Sequence, residues 1–503
     1  MSSEQGPPGG LFTRVVRGGF WVFAFSVTQE ILALTRLVIL ARLLSPRDFG
    51  LGGIAVLVLS TIETLSQPNF DSALIQKKED TAAYLDSAWG VGVLRGIAIF
   101  AIVCLVAPYG AAFFRTPGAT TLIRLIGVSA LARGLTSVGV IQFRKDLRFD
   151  RQFIWQFAGR LADFVVAVVA ALVFRNALAL VLAFVAADVA KLVSSYLLHP
   201  YRPRFAIDWA KARELFGFGK WLLGLGIIAL LLSQGDNALV GRLVGTTLLG
   251  FYQLARRVSF VPASEIAYVI SAVTFPAYSK IQDQRPKLKE AYLMVLEVTA
   301  VAALPLAGMI LALAPDITSF FFGTKWLPAV PAMRVLAIWG ALSAIAATAE
   351  PALMAVGLPR KLTKYQALQL ASLAAVIYPA TLRWSIAGTA VALGVAAIAP
   401  CYLALRKVVA LTGSRPRTVA GVIALPAAAA AVAGAAAWSL RRYGATAAAG
   451  ASGAAGFAVA LVVYAAVYTG LVWWLGRRFG HGIGRILREV ISTLPVGRTR
   501  ERA

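Results

Sequence analysis

Cysteine and histidine are nearly absent, with two of each in 503 residues. Cys104 and Cys401 both fall inside apolar runs, which excludes a disulfide framework and a cysteine-built zinc site. His199 and His481 stand at loop edges far apart in sequence, which argues against a histidine metal centre. Acid is scarce too, with 23 Asp and Glu against 49 Lys and Arg, a net charge of +26. There is no phosphate-cradling GxxxxGK, no nucleophile elbow and no metal-holding DxD. ATP hydrolysis and glycosyl transfer by this chain are therefore not expected, and no cofactor is expected. No nucleic-acid-binding motif accompanies the basic balance, so that balance needs another cause. The alternating ten-residue segments of a membrane β-barrel are missing as well.

What fills the chain instead is apolar sequence, with 59% hydrophobic residues gathered into long runs. Spans are read near 15–40, 48–69, 84–109, 119–143, 152–174, 177–199, 214–237, 246–276, 288–314, 328–350, 360–382, 385–405, 418–440 and 446–475. Each is about 20 residues or more, the length an α-helix needs to cross about 30 Å of hydrocarbon. Lipid offers no partner to backbone N–H and C=O groups, so such spans must be helices. The expected fold is all-α and polytopic, with about fourteen transmembrane helices. The first run extends too far to be a cleaved signal-peptide core, and no cleavage is expected.

The connecting segments alternate in charge. One set holds 30 basic residues and the opposite set 9, with 10 more inside spans. The rich set includes Lys77 and Lys78, the cluster Arg144, Lys145, Arg148 and Arg151, and a C-terminal tail running from Arg477 to Arg502. The poor set includes Arg42, Arg47, Arg175, Arg242, Arg441 and Arg442. Basic loops stay in the cytoplasm, so both termini are expected there.

A repeat appears at an offset of 200. Gly19, Trp21, Arg42, Leu43, Gly50 and Ala55 return as Gly219, Trp221, Arg242, Leu243, Gly250 and Ala255. Six spans per copy is an even number, which makes the copies parallel repeats. The expected organisation is a cytoplasmic tail (1–14), an N-lobe (15–200), a C-lobe (201–410), two appended spans (411–476) and a basic cytoplasmic tail (477–503).

Charge inside a membrane is costly and marks function. Arg36, Arg95, Arg133, Arg256 and Arg257 are the candidate substrate-binding cations, since guanidinium forks match phosphate oxygens. Glu30, Glu63, Asp236 and Glu265 are the candidate ion-coupling groups or counter-charges. Arg160 with Asp163, and Asp188 with Lys191, are spaced for pairing along one helix. Lys220, Arg124 and Arg334 lie near span ends, where long cations snorkel. Pro262, Pro276, Pro305 and Pro351 interrupt or end helices in the second copy.

Three stretches carry a family resemblance. ILARLLSPRDFGLGGIA after span 1, SALIQKKED before span 3 and FRKDLRFDR after span 4 resemble bacterial polysaccharide flippases of the O-antigen flippase group. The run TFPAYSKIQDQRPKLKEAY, followed by FFFGTKW, looks particularly like the colanic-acid exporter branch. The resemblance covers about residues 14–410. It implies the multidrug/oligosaccharidyl-lipid/polysaccharide exporter fold, with two six-helix lobes. It implies a substrate of undecaprenyl-diphosphate bearing an oligosaccharide repeat unit, moved between leaflets by alternating access for O-antigen, capsule or exopolysaccharide synthesis. A polysaccharide polymerase and a chain-length regulator are the implied protein partners, and a monomer is the expected unit.

Three other readings compete. A multidrug antiporter on the same fold would want an acid-rich lumen for organic cations. A lipid II flippase would share both fold and headgroup. A membrane enzyme such as a polymerase would need sizeable outer loops, and here they are short.

Overall fold

The computed structural model describes residues 28–66, 82–146, 148–206, 208–444 and 453–479. The N-terminal tail, the start of span 1, the loop with Lys77 and Lys78, the start of span 14 and the C-terminal arginines from Arg485 onward lie outside the described residues. So do Gly19, Trp21 and the SALIQKKED stretch.

Among the described residues every regular element is helical and no strand occurs. In chain order they are α1 (28–43), α2 (Pro46–Leu65), α3 (Ala82–Phe113), α4 (Ala119–Ile126), α5 (Val128–Leu135), α6 (Ile141–Lys145), α7 (Phe149–Phe174), α8 (Leu178–Leu198) and α9 (Trp209–Leu243). There follow α10 (Thr246–Ser259), α11 (Val261–Ile281), α12 (Arg285–Ile317), α13 (Val330–Ala347), α14 (Ala349–Ala355), α15 (Pro359–Thr412), α16 (Pro416–Ser439) and α17 (Ala454–Phe479). Nine helices among the described residues are long and apolar enough to cross a membrane. The protein is therefore a multi-pass, all-α membrane protein. The expected total of fourteen spans goes beyond that number.

Breaks in the helices follow local chemistry. Span 4 is divided at Gly127 into α4 and α5, and span 8 at Phe260, two residues before Pro262, into α10 and α11. α15 runs for 54 residues, far more than one crossing needs, and leaves helical geometry at Trp384 and Ser385. That kink falls between the runs read as spans 11 and 12. Ser385 has φ 55° and ψ −140°, a left-handed-side conformation that a residue with a Cβ rarely adopts.

The SPRDFG motif is a helix start. Ser45 Oγ accepts from the Asp48 backbone N–H, Asp48 Oδ2 accepts from Ser45 N–H at 3.0 Å, and Pro46 occupies the first turn. The other carboxylate oxygen of Asp48 accepts from Ala177 N–H at 3.1 Å, which ties the start of α2 to the start of α8.

The chain packs as two compact units, residues 1–250 and 251–503. In the first, α7 and α8 form a hairpin, α5 packs on α3 and α8, and α9 packs on α2 and α3. Arg242 on α9 donates to the Phe113 carbonyl at 2.6 Å and lies over the Phe113 ring, capping the end of α3.

The starts of α2 and α10 cross reciprocally. A Cβ on Gly50 would lie 1.9 Å from the Thr246 carbonyl oxygen, and a Cβ on Gly250 would lie 1.8 Å from the Pro46 carbonyl oxygen. Positions 46 and 50 map onto 246 and 250 at the repeat offset of 200. Position 50 therefore meets position 246 and position 250 meets position 46, a reciprocal pair of close approaches within the first unit.

In the second unit α12 packs on α13, α16 and α11, and α17 packs on α16. Pro305 has no N–H to give the Val301 carbonyl one turn earlier. Tyr468 of α17 supplies that bond at 2.8 Å, and Tyr464 donates to the Pro305 carbonyl at 2.6 Å. Arg441 donates to Asp316 Oδ1 through Nε at 2.9 Å, with a second bond from Nη2. The appended spans are thus joined to α12 by two hydroxyls and an ion pair.

Candidate functional site

Several charged residues of the spanning helices of the first unit gather into one seam. Arg133, at the end of α5, donates from Nε to Asp188 Oδ2 of α8 at 3.0 Å and from Nη1 to Glu63 Oε2 of α2. Its guanidinium lies 5.2 Å from the Phe184 ring centroid. The Asp188 side chain is 5% exposed and that of Glu63 17%, while Arg133 keeps 40%. Arg133 thus spends two of its three nitrogens on carboxylates and keeps an open face.

Arg95 reaches the same place from α3. It donates to the Ser66 and Glu63 carbonyls, both at 3.0 Å, at the C-terminal end of α2. A cation there meets the negative end of the helix dipole. Glu63 is therefore held through its side chain by one arginine and through its backbone by another.

The seam continues onto α7 and α1. Arg36 Nε lies 3.0 Å from Asp163 Oδ2, and Arg160 Nε donates to Gln29 Oε1 at 3.1 Å. Lys191 of α8 lies within electrostatic reach of Asp188, Arg133, Arg160 and Asp163, so it links the two groups. Gly159 makes this possible, because a Cβ there would meet Lys191 Cε at 2.7 Å.

Asp163 and Asp188 thus take arginine partners from other helices, where spacing alone allowed partners one turn away on their own. Among the described residues the seam contains five cations (Arg36, Arg95, Arg133, Arg160 and Lys191). Against them stand three carboxylates (Glu63, Asp163 and Asp188), or four with Glu30 of α1. Positive charge is in excess either way.

The remaining sequence candidates lie elsewhere. Asp236, fully buried on α9, accepts from the Asn237 N–H at 2.9 Å. Arg256 and Arg257 end α10 in the second unit, and the Arg256 guanidinium lies 5.8 Å from the Phe260 ring centroid. Glu265 is exposed on α11. The second unit also holds a groove of about 480 Å³ between α11, α13 and α14, which contains Glu350. Sequence reading passed over Glu350, because Pro351 was read as the end of the span. The structure carries helix on to Ala355.

Outside the spans, the segment between α8 and α9 is strapped to the start of α3. Tyr201 Oη donates to Asp86 Oδ1, Arg204 N–H donates to the same oxygen at 3.0 Å, and Asp208 N–H donates to Ser87 Oγ at 3.1 Å. Burial first, and then the bond to Asp86, push the Tyr201 hydroxyl well above its ordinary range. His199 Nδ1 accepts from Tyr201 N–H at 3.1 Å. Burial, followed by the neighbouring Arg151, lowers the His199 pKa below its usual value.

Residues 39–331 match the family model described as polysaccharide biosynthesis protein. The chain belongs to that family. Among its relatives is the lipopolysaccharide biosynthesis protein WzxC of Escherichia coli K12, 26% identical over 66% of this chain and 68% of that protein. A membrane protein in the cps region of Klebsiella pneumoniae is 25% identical over 75% of this chain and 79% of its own length. The succinoglycan biosynthesis transport protein ExoT of Rhizobium meliloti is 23% identical over 63% of this chain and 65% of its own. In fold, this family member resembles the inward closed conformation of the lipid II flippase MurJ. The TM-score is 0.72 at 14% identity, covering 91% of this chain and 99% of that one. An inward-facing multidrug resistance MATE transporter of the MOP superfamily matches with a TM-score of 0.60 at 16% identity, covering 77% and 96%.

Proposed function

We propose that this protein is a flippase that carries undecaprenyl-diphosphate-linked oligosaccharide repeat units from the inner to the outer leaflet of the bacterial cytoplasmic membrane. The cation excess of the intramembrane seam carries the reading. A diphosphate is anionic, and taking it unaided through hydrocarbon is prohibitively costly. A protein path supplying guanidinium donors removes that barrier while the polyprenyl tail stays in lipid. Arg133 is the residue we assign to first contact, because its open face can take a phosphate oxygen while Glu63 and Asp188 hold its other nitrogens. Arg95, Arg36 and Arg160 follow along the seam.

The same excess disfavours a carrier of organic cations, which would meet like charge there. Family membership and the names of the relatives support a polysaccharide pathway over a drug pathway. The charge alternation of the loops supports cytoplasmic termini, and with them loading at the inner face and release at the outer one. There a polymerase and its chain-length regulator take the product. Glu63, Asp188 and Arg133 also give the cycle an exchange: as phosphate takes the open face of Arg133, the two carboxylates share their counter-charge with it and are relieved by binding a cation or proton.

Reconstitution tests the reading. Proteoliposomes loaded with lipid-linked repeat units should expose them to an external lectin faster than protein-free vesicles do. Arg133→Ala should lose that rate. Equal rates with and without protein would refute it, and transport of lipid II alone would reassign the substrate.

A further inference from the structure

Two carboxyls in the spanning part of the second unit, Glu265 and Glu350, form no ion pair or hydrogen bond among the described residues. The other spanning acids described above are answered: Glu63 and Asp188 by Arg133, Asp163 by Arg36 and Asp316 by Arg441. Only one of the two unpaired carboxyls, Glu350, lines the groove between α11, α13 and α14. Three hydroxyls share that groove, from Ser264, Ser271 and Ser343, and the rest of the lining is apolar, including Phe275 and Met354. The Ser264 hydroxyl is committed to the Val261 carbonyl at 2.8 Å. The Ser343 hydroxyl is buried and has no partner among the described residues.

We infer that Glu350 is a reversible proton-binding site, reached by water through this groove, whose protonation state changes during the transport cycle. Glu350 is exposed to this mostly apolar groove, and a carboxylate with no counter-charge there is relieved by taking up a proton. The groove explains how the proton arrives. At roughly 30 Å³ per water, about 480 Å³ holds on the order of a dozen waters. Ser343 and Ser271 can accept from the acid or donate to the carboxylate, so either protonation state finds a hydroxyl.

Neighbouring charge does not substitute for the proton. Glu265 and Lys280 on α11, Arg334 on α13, and Arg360, Lys361, Lys364, Arg383, Arg406 and Lys407 on α15 are the charged groups on the elements packed against α14. None of them lines the groove. A metal cation is less well served than a proton, since one carboxyl and two uncommitted hydroxyls fall short of a coordination shell. This site shares no residue with the seam of the first unit. Its proton exchange stands without the flippase reading, whereas its use in the cycle rests on that reading.

The test is carbodiimide labelling of the full-length protein in detergent, read by mass spectrometry of the peptide carrying Glu350. Dicyclohexylcarbodiimide adds to protonated carboxyls in apolar surroundings. The adduct on Glu350 is expected to form at acid pH, to fall severalfold at alkaline pH, and to be absent in Glu350→Gln while Glu265→Gln leaves it intact. Ser343→Ala should shift the pH at which labelling falls without abolishing the adduct. No adduct at any pH, or an adduct with no pH dependence, overturns the site, and protection by sodium at constant pH overturns its assignment to a proton. For the second half, polymer export in cells should depend on the pH gradient with the native chain and lose that dependence with Glu350→Gln. Export that keeps its native gradient dependence in the variant overturns the role in the cycle. A native chain that exports nothing would sink the flippase reading, while the labelling result would still decide the proton site.

Discussion

The reciprocal crossing of α2 and α10 makes a sharp prediction about alanine. At Gly50 an added Cβ would sit 1.9 Å from the Thr246 carbonyl oxygen, and at Gly250 1.8 Å from the Pro46 carbonyl oxygen. Cβ atoms do not approach closer than 3.0 Å, so either substitution must part the two helix starts by more than 1 Å. Overpacking of that kind costs about 1–3 kcal/mol. Alanine favours each helix by about 1 kcal/mol over glycine, but it does so whether or not the helices touch, so that gain leaves the conformational balance unchanged. The balance should therefore move about 5- to 150-fold away from the crossed arrangement. Spin labels on Arg47→Cys and Thr247→Cys, in a chain with Cys104 and Cys401 replaced by alanine, would report it as a distance distribution. Gly50→Ala and Gly250→Ala should each transfer weight from the short to the long distance and slow transport. The double variant should shift little further, because one parting relieves both clashes. A distribution and a transport rate unchanged in both single variants would refute the reasoning.

Four further outcomes follow from the packing. Arg133→Ala strands the carboxylates of Glu63 and Asp188 and should lower stability by about 3–5 kcal/mol, with Glu63→Gln plus Asp188→Asn recovering most of it in a thermal-shift assay. Tyr468→Phe should cost about 1 kcal/mol. In a Pro305→Ala background it should cost less, since the Val301 carbonyl regains a backbone donor; an equal loss in both backgrounds would contradict this. Ser385→Gly should raise the melting temperature by relieving strain of about 1–3 kcal/mol, provided its buried hydroxyl, which has no partner, contributes nothing. His199 has a lowered pKa in the fold, so the unfolded chain binds its proton first as pH falls. Docking of the 199–208 strap should accordingly be strongest above the ordinary histidine value of 6.5 and weaken as pH drops below it. Hydrogen exchange of that segment should show the loss in the native chain and a flat profile in His199→Gln.

Much of the architecture is legible in the residues. Apolar runs of spanning length dictate helices, and the RWS break between two of them is where α15 kinks. Gly50 and Gly250, matched at the offset of 200, make reciprocal close approaches to Thr246 and Pro46. Charged residues inside spans directed attention to Arg36, Arg95, Arg133 and Glu63, which the structure draws into one seam. Their partners were not legible. Asp163 and Asp188 each had a basic residue at i±3, and only the packing of α1, α5, α7 and α8 decides that an arginine from another helix arrives first. Glu350 escaped notice for a different reason. Pro351 reads as a stop, yet proline is tolerated in the first turn of a helix, and α14 begins at Ala349. An acid within a segment whose apolar character continues to Ala355 was the signal available.

The most direct test of the account is mass spectrometry of lipid extracts from cells lacking this protein, paired with a gel of surface polysaccharide. The account predicts that complete undecaprenyl-diphosphate-linked repeat units accumulate while the polymer disappears, and that the native chain but not Arg133→Ala restores it. Unchanged lipid-linked units with polymer intact, in a strain with no second flippase of this family, would contradict it.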